Sequence, residues 1–273
     1  MRLKLSLRKW DIINFGFDFK FWKSLLTPVK MTTKKQTIKR TLKTIWFSAV
    51  IVFMFWQFYS FQSKGVDESL LQNSETIEVE ENSDFYLFEL VNGCKEVLIF
   101  FPGAMVDPKA YVPLCRKIAD NNVKVYLIKM PWRLASQGYN LPKELKLFAD
   151  SSKTYILAGH SLGAKMAAQF VYENPNLVDK LILIGTTHPR DISLANSAIP
   201  ILKIYGSNDG VADEESIIKN KSKLPAATKF VKINGANHSQ FGYYGFQLGD
   251  NSARIGREKQ QAETLQHILA FIK

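Results

Sequence analysis

A chain of 273 residues, 46% of them apolar and 22% charged, has room for one sizeable folded domain plus an appendage and is too apolar to be disordered throughout. Its net charge of +11 would suit nucleic acid, yet residues 1–43 carry twelve Lys or Arg against Asp11 and Asp18, which leaves the rest of the chain close to neutral. A near-neutral body lacks the basic face that phosphate binding needs, so nucleic acid is set aside as a partner.

The basic segment, residues 1–43, runs directly into "IWFSAVIVFMFWQFYSF", Ile45 to Phe61, which holds no charged residue. Residues 44–63, at about 1.5 Å per residue, cover roughly 30 Å as a helix, the thickness of a bilayer core. Trp46, Trp56 and Tyr59 fall near its ends, where interfacial aromatics collect. The expectation is a transmembrane signal-anchor helix. Cations precede the span and few follow it, so the N-terminus is expected in the cytoplasm and the chain after about Ser63 outside. A buried core helix and a cleaved signal peptide are the competing readings, although nothing after Phe61 resembles an A-x-A cleavage site. "MTTKKQTIKRTLKT" is a complete signal-anchor n-region in itself, which makes Met31 an alternative start.

Residues 64–82 are polar and acidic, end in the short β-like "TIEVE", and read as a linker into a domain spanning 83–273. There, short apolar runs at 85–91, 96–101, 123–129, 154–159, 180–185, 200–206 and 229–234 alternate with helical patterns at roughly 108–121, 141–150, 162–174, 212–222 and 258–272. Such alternation predicts βαβ units, a mostly parallel sheet and helices on both faces. Ligands of such a sheet bind beyond the carboxyl ends of its strands. Cys94 and Cys115 are read as unbridged, and no Cys or His spacing suggests a metal.

One strand ends in "YILAGHSLGAKMAAQF". A serine between two glycines, after a strand and before a helix, is the context of a nucleophile elbow, the alternative being an ordinary junction in which Ser161 caps the helix. A serine hydroxyl needs a histidine to take its proton, and that histidine needs a carboxylate to orient it. "KIYGSNDG" supplies Asp209 and "KINGANHSQFG" supplies His238, in the order Ser, acid, His and each just past a strand. Asp213 is the rival acid; His160, His188 and His267 are the other histidines. In "FFPGAMVDP" the chain turns right after a strand, so the Ala104 amide is expected to join the Leu162 amide as an oxyanion hole.

The segments "FPGAMVDPKAYVPL", "KMPWRLA", "GHSLGAKMAA", "YGSNDG" and "GANHSQFGYYGFQLGDNSARIGREKQQ" resemble the bacterial alpha/beta hydrolase fold-5 family, related to dienelactone-hydrolase-like proteins, over about two thirds of the chain. The resemblance implies an α/β-hydrolase fold and a lipase- or esterase-like serine hydrolase with no metal or organic cofactor, acting on a small-molecule ester or acyl substrate. Ala164 stands where a second glycine is common, and Ser161 argues against the cysteine chemistry of dienelactone hydrolases proper. Only Thr186 to Ile199 separates two strands where relatives insert a lid, so an open cleft without a large lid is expected. Trp132, His188, Arg190, Tyr243, Tyr244 and Phe246 are candidates to line it. The leading expectation is a membrane-anchored, extracytoplasmic serine hydrolase; an acyltransferase with the same residues and a non-catalytic binding protein of the same fold are the alternatives.

Overall fold

The structure, a computed structural model, describes residues 34–273; residues 1–33, with Met31 and most of the basic segment, lie outside the described residues. It forms two units, residues up to Val52 and Phe53–Lys273. Helix α1, Lys34–Ser60, is long and apolar enough to cross a membrane. None of its most apolar stretch is buried, which is the reverse of what a core helix requires.

The second unit is built on an eight-stranded sheet: β1 (Ile77–Glu81), β2 (Phe85–Leu90), β3 (Glu96–Phe101), β4 (Lys124–Ile128), β5 (Thr154–His160), β6 (Lys180–Ile184), β7 (Ile201–Gly206) and β8 (Lys229–Ile233). Their order is β1-β2-β4-β3-β5-β6-β7-β8. β2 is antiparallel to both neighbours and every other pairing is parallel. The inner strands are apolar at nearly every position because both faces are covered. In β3, Leu98 and Phe100 enter one core while Ile99 and Phe101 enter the other. Helices α2 (Val112–Ala119) and α5 (Arg257–Ile272) close the first core and α3 (Leu162–Glu173) the second; α4 (Glu214–Lys219) follows β7. Among the described residues no helix lies between β6 and β7.

Two expectations change. The helix over 141–150 is a single turn, Leu141–Glu144, because Lys146 takes φ 56° and ends it. Phe148 instead packs on Phe170 and Tyr155, at 5.4 and 5.2 Å between ring centroids, so tertiary contact and not helical spacing sets its place. The segment 64–82 is folded: Glu68–Leu71 is a 3-10 turn, β1 pairs with β2, and Arg116 donates to the Leu70 and Gln72 carbonyls. Its polar character reflects one exposed edge of the sheet. Just before it, the Gly245 and Asp107 amides donate to the Ser60 and Phe61 carbonyls and the Lys64 amide to Tyr243, so the end of α1 is stitched to the domain. Cys94 and Cys115 are free thiols.

Candidate active site

Ser161 stands between β5 and α3 with φ 54° and ψ −118°, a conformation that costs a non-glycine residue about 1–3 kcal/mol. A helix N-cap has an extended backbone and a side chain bonded to the first turn; Ser161 has neither. Its hydroxyl is therefore not spent on capping. Both flanking glycines are steric necessities: a Cβ on Gly159 would lie 2.5 Å from the Gly163 carbonyl carbon, and one on Gly163 would lie 2.1 Å from the Phe101 carbonyl oxygen. The turn is thus pressed between its own helix and the end of β3.

Asp209 follows β7 and is buried. One carboxylate oxygen accepts the Val211 and Ala212 amides at 2.8 and 2.6 Å, and the other lies 2.9 Å from His238 Nδ1. Asp213 instead accepts the Ser216 amide as the N-cap of α4, and that bond holds its carboxyl below the ordinary carboxylate range. His238 is fully buried and its Nε2 has no hydrogen-bond partner among the described residues. Ser161 and His238 line one cavity of about 200 Å³ without a direct hydrogen bond between them.

The His238 loop hangs on Asp250, whose carboxylate accepts the amides of His238, Ser239, Gly210 and Asn251 and the Ser239 hydroxyl. Because Gly210 is next to Asp209, one buried carboxylate ties the acid's loop to the histidine's loop. Gln260, from α5, brackets Asn237 from both sides of the peptide: its side chain accepts the Asn237 amide and donates to the Asn237 carbonyl. Neither residue was singled out from the sequence; the only signal was their place in the long C-terminal motif.

On the β3 side, the Gly103 amide donates to the Tyr111 hydroxyl at 3.1 Å and the Met105 amide to the Arg133 carbonyl at 2.7 Å. Between them, the Ala104 amide has no hydrogen-bond partner among the described residues. Leu162 lines the cavity, as the first residue of α3; Ala104 is not part of its lining. Tyr111 also contacts His160 Nδ1 at 2.8 Å, and the His160 ring lies 4.5 Å from the His238 ring. Burial, then the His238 charge, drives the His160 imidazole far below its ordinary range, while burial raises the Tyr111 hydroxyl. A neutral ring thus accepts from the phenol, which itself accepts from Gly103.

The cleft candidates separate. His188 and Arg190 line the cavity. Trp132 is 86% exposed, Tyr244 is buried with its hydroxyl on Gln247, Tyr243 bonds Glu258, and Phe246 packs near Trp56; none of them lines it. His267 lies on α5, away from the cavity. Lys165, unremarked in the sequence, also lines it; a position four residues after Ser161 on a helix was the available signal.

Residues 97–262, more than half the chain, match the family described as the alpha/beta hydrolase family. The chain belongs to that family. This alpha/beta hydrolase is similar in fold to a chain from Thermoplasma acidophilum described as a CIB-like hydrolase, with TM-score 0.55 and 12% identity over 71% of this chain and 99% of that one. It is also similar to a soluble variant of monoglyceride lipase from Saccharomyces cerevisiae, with TM-score 0.52 and 10% identity over 74% and 95% of the two chains. A ferulic acid esterase from Streptomyces cinnamoneus aligns with TM-score 0.51 and 15% identity over 66% of each. At such identities the likeness is one of fold. Comparison with curated proteins finds no matching sequence.

Proposed function

We propose that this alpha/beta hydrolase is a membrane-anchored serine hydrolase that cleaves carboxylic ester or related acyl bonds outside the cytoplasm. The observation that carries the reading is the pairing of an uncapped, positive-φ serine with a buried histidine on one cavity, the histidine's far nitrogen held by a buried aspartate and its near nitrogen left without a partner.

Ser161 Oγ attacks the acyl carbon as His238 Nε2 takes its proton. Asp209 keeps the His238 proton on Nδ1 and stabilises the imidazolium that forms. The oxyanion develops against the Leu162 and Ala104 amides, the kind of preorganised donors worth about 3 kcal/mol each in the transition state. His238 then returns the proton to the leaving alcohol, and a water molecule, activated by the same nitrogen, releases the acyl group from Ser161. The apolar part of the helix Lys34–Ser60 supplies the anchor, and the basic segment 1–43, whose end forms the start of that helix, sets the orientation.

A fluorophosphonate probe that cannot cross membranes, applied to intact cells making the full chain, tests nucleophile and topology together. Ser161 is expected to carry the adduct and Ser161→Ala to carry none while retaining its melting temperature. Labelling that survives in Ser161→Ala refutes the nucleophile, and labelling seen only after lysis refutes the outward-facing domain.

A further inference from the structure

The cavity beside Ser161 is lined by two cations, Lys165 and Arg190, and by no Asp or Glu. Isolated surface cations are ordinarily just solvated. Here, however, both belong to the lining of the cavity that holds the candidate nucleophile.

Each is held for a local reason. Lys165 sits one helical turn after Ser161, its amide donating to the Ser161 carbonyl at 3.0 Å, and helical side chains lean back toward the preceding turn. The Arg190 guanidinium donates through Nε and Nη2 to His188 Nε2, at 3.3 and 3.2 Å. His188 can accept because burial, aided by the charges of Lys165 and Arg190, pulls its imidazole down to about 4 and keeps it neutral near pH 7. The loop is pinned from within: the buried Lys203 donates to the His188 carbonyl, and the His188 amide donates to Thr186 Oγ1 at 3.3 Å.

Competition from the protein's own carboxylates is weak. Asp191 lies 3.6 Å from Lys165 Nζ but is 76% exposed, a geometry that contributes little. Asp213 also acts on the Arg190 side of the loop, but its carboxylate is engaged in capping α4. Among the described residues no carboxylate lies within 4.0 Å of Arg190. The lining therefore carries positive charge whose nearest carboxylates are an exposed Asp191 and a capping Asp213, and because Arg190 is itself exposed an ion from outside can reach it.

We propose that the cavity selects esters whose acyl chain carries a second, carboxylate group, bound by Arg190 and Lys165, that is, half-esters of small dicarboxylic acids. A volume of about 200 Å³ suits a short acyl chain better than a drug-sized ligand. The proposal rests on the serine-hydrolase reading above. Charge-assisted hydrogen bonds of this kind discriminate by about tenfold to a hundredfold.

The test is steady-state hydrolysis of 4-nitrophenyl hemiadipate against 4-nitrophenyl hexanoate by the full chain in detergent micelles. The native chain is expected to favour the hemiadipate by at least about tenfold in kcat/KM, mainly through KM. In Arg190→Gln and in Lys165→Gln the ratio of the two substrates falls, in the double variant it approaches one, Arg190→Glu inverts it, and Arg190→Lys recovers part. Equal turnover of both esters by the native chain overturns the proposal, as does a preference that survives the double variant. Fluorophosphonate labelling separates the two levels: Ser161 labelled without charge selectivity removes only the anion subsite, whereas an unlabelled native chain removes the hydrolase reading with it.

Discussion

The elbow around Ser161 and the loop around His238 are held in place by opposite means. The elbow is held by the absence of side chains: Gly159 and Gly163 let helix, turn and the end of β3 approach to distances that any Cβ would forbid. Apart from the end of β3 and the Ile184 carbonyl of β6, which accepts the Ser161 amide at 2.9 Å, what shapes it lies within five residues. The histidine loop is held by the presence of polar side chains from elsewhere, with Asp250 gathering donors from two loops and Gln260 bracketing Asn237 from α5. A steric device is local and unforgiving, whereas a hydrogen-bonded one is distributed and can be weakened in steps.

The largest effect should come from breaking the steric device. Gly163→Ala places a methyl 2.1 Å from the Phe101 carbonyl oxygen, where only backbone movement relieves the clash. Overpacking of this severity costs roughly 3 kcal/mol or more. The melting temperature of the detergent-solubilised chain should fall by about 10 °C. A Gly163→Ala protein that melts like the native one would mean the elbow is looser than these contacts imply.

Asp250→Ala should cost less, about 2 kcal/mol, because water can reach some of the four amides it strands. Its signature is kinetic as well: fluorophosphonate labelling of Ser161 should slow, since His238 loses the tie that sets its backbone. Asp250→Asn keeps one acceptor oxygen and should recover about half of the lost stability, the graded response expected of a polar network and not of a steric one. Equal damage from Ala and Asn, measured by thermal unfolding, would remove the contrast between the two regions.

The smallest expected effect is on pH dependence. His160 and His188 both have folded pKa values below the ordinary 6.5, His160 through burial and then the His238 charge, His188 to about 4 chiefly through burial. Between pH 6.5 and about 4 these two rings therefore bind more protons in the unfolded chain than in the folded one, so the stability they contribute is full above pH 6.5 and declines as pH falls through that window. Because His188 is only half-buried, its share is on the order of 1 kcal/mol. Denaturant titrations at pH 7 and pH 5 read the difference; His188→Gln should shrink it without abolishing it, because His160 remains. Identical stability at the two pH values would show that neither ring is held neutral.

Much of this was readable along the chain, for reasons that differ by element. Inner strands announce themselves as apolar runs because both faces of the sheet are buried, and the strand boundaries read from the sequence fall close to β2 through β8. Ser161, Asp209 and His238 stand out because each occupies a short motif directly after a strand. The turn at Leu141–Glu144 escaped because the left-handed Lys146 carries no glycine or asparagine to mark it, and Leu147 and Phe148 mimic helical periodicity while packing on the second core. Tyr111, Asp250 and Gln260 escaped because each acts on residues between 8 and 49 positions away.

What the sequence by itself determined was the order of strands and helices, an apolar segment long enough to span a bilayer, and the serine between two glycines, because propensity, periodicity and turn chemistry act over a few residues. Tertiary structure decided the matters that depend on distant groups meeting. Asp209, and not Asp213, faces His238, since only Asp209 lies in the loop that Asp250 draws toward the histidine, while Asp213 is consumed by its own helix. Lys165 and Arg190 share one cavity because α3 and the loop after β6 leave adjacent strands of a parallel sheet at the same edge. The supposed linker became a sheet edge because an antiparallel partner, β2, was available to satisfy its backbone.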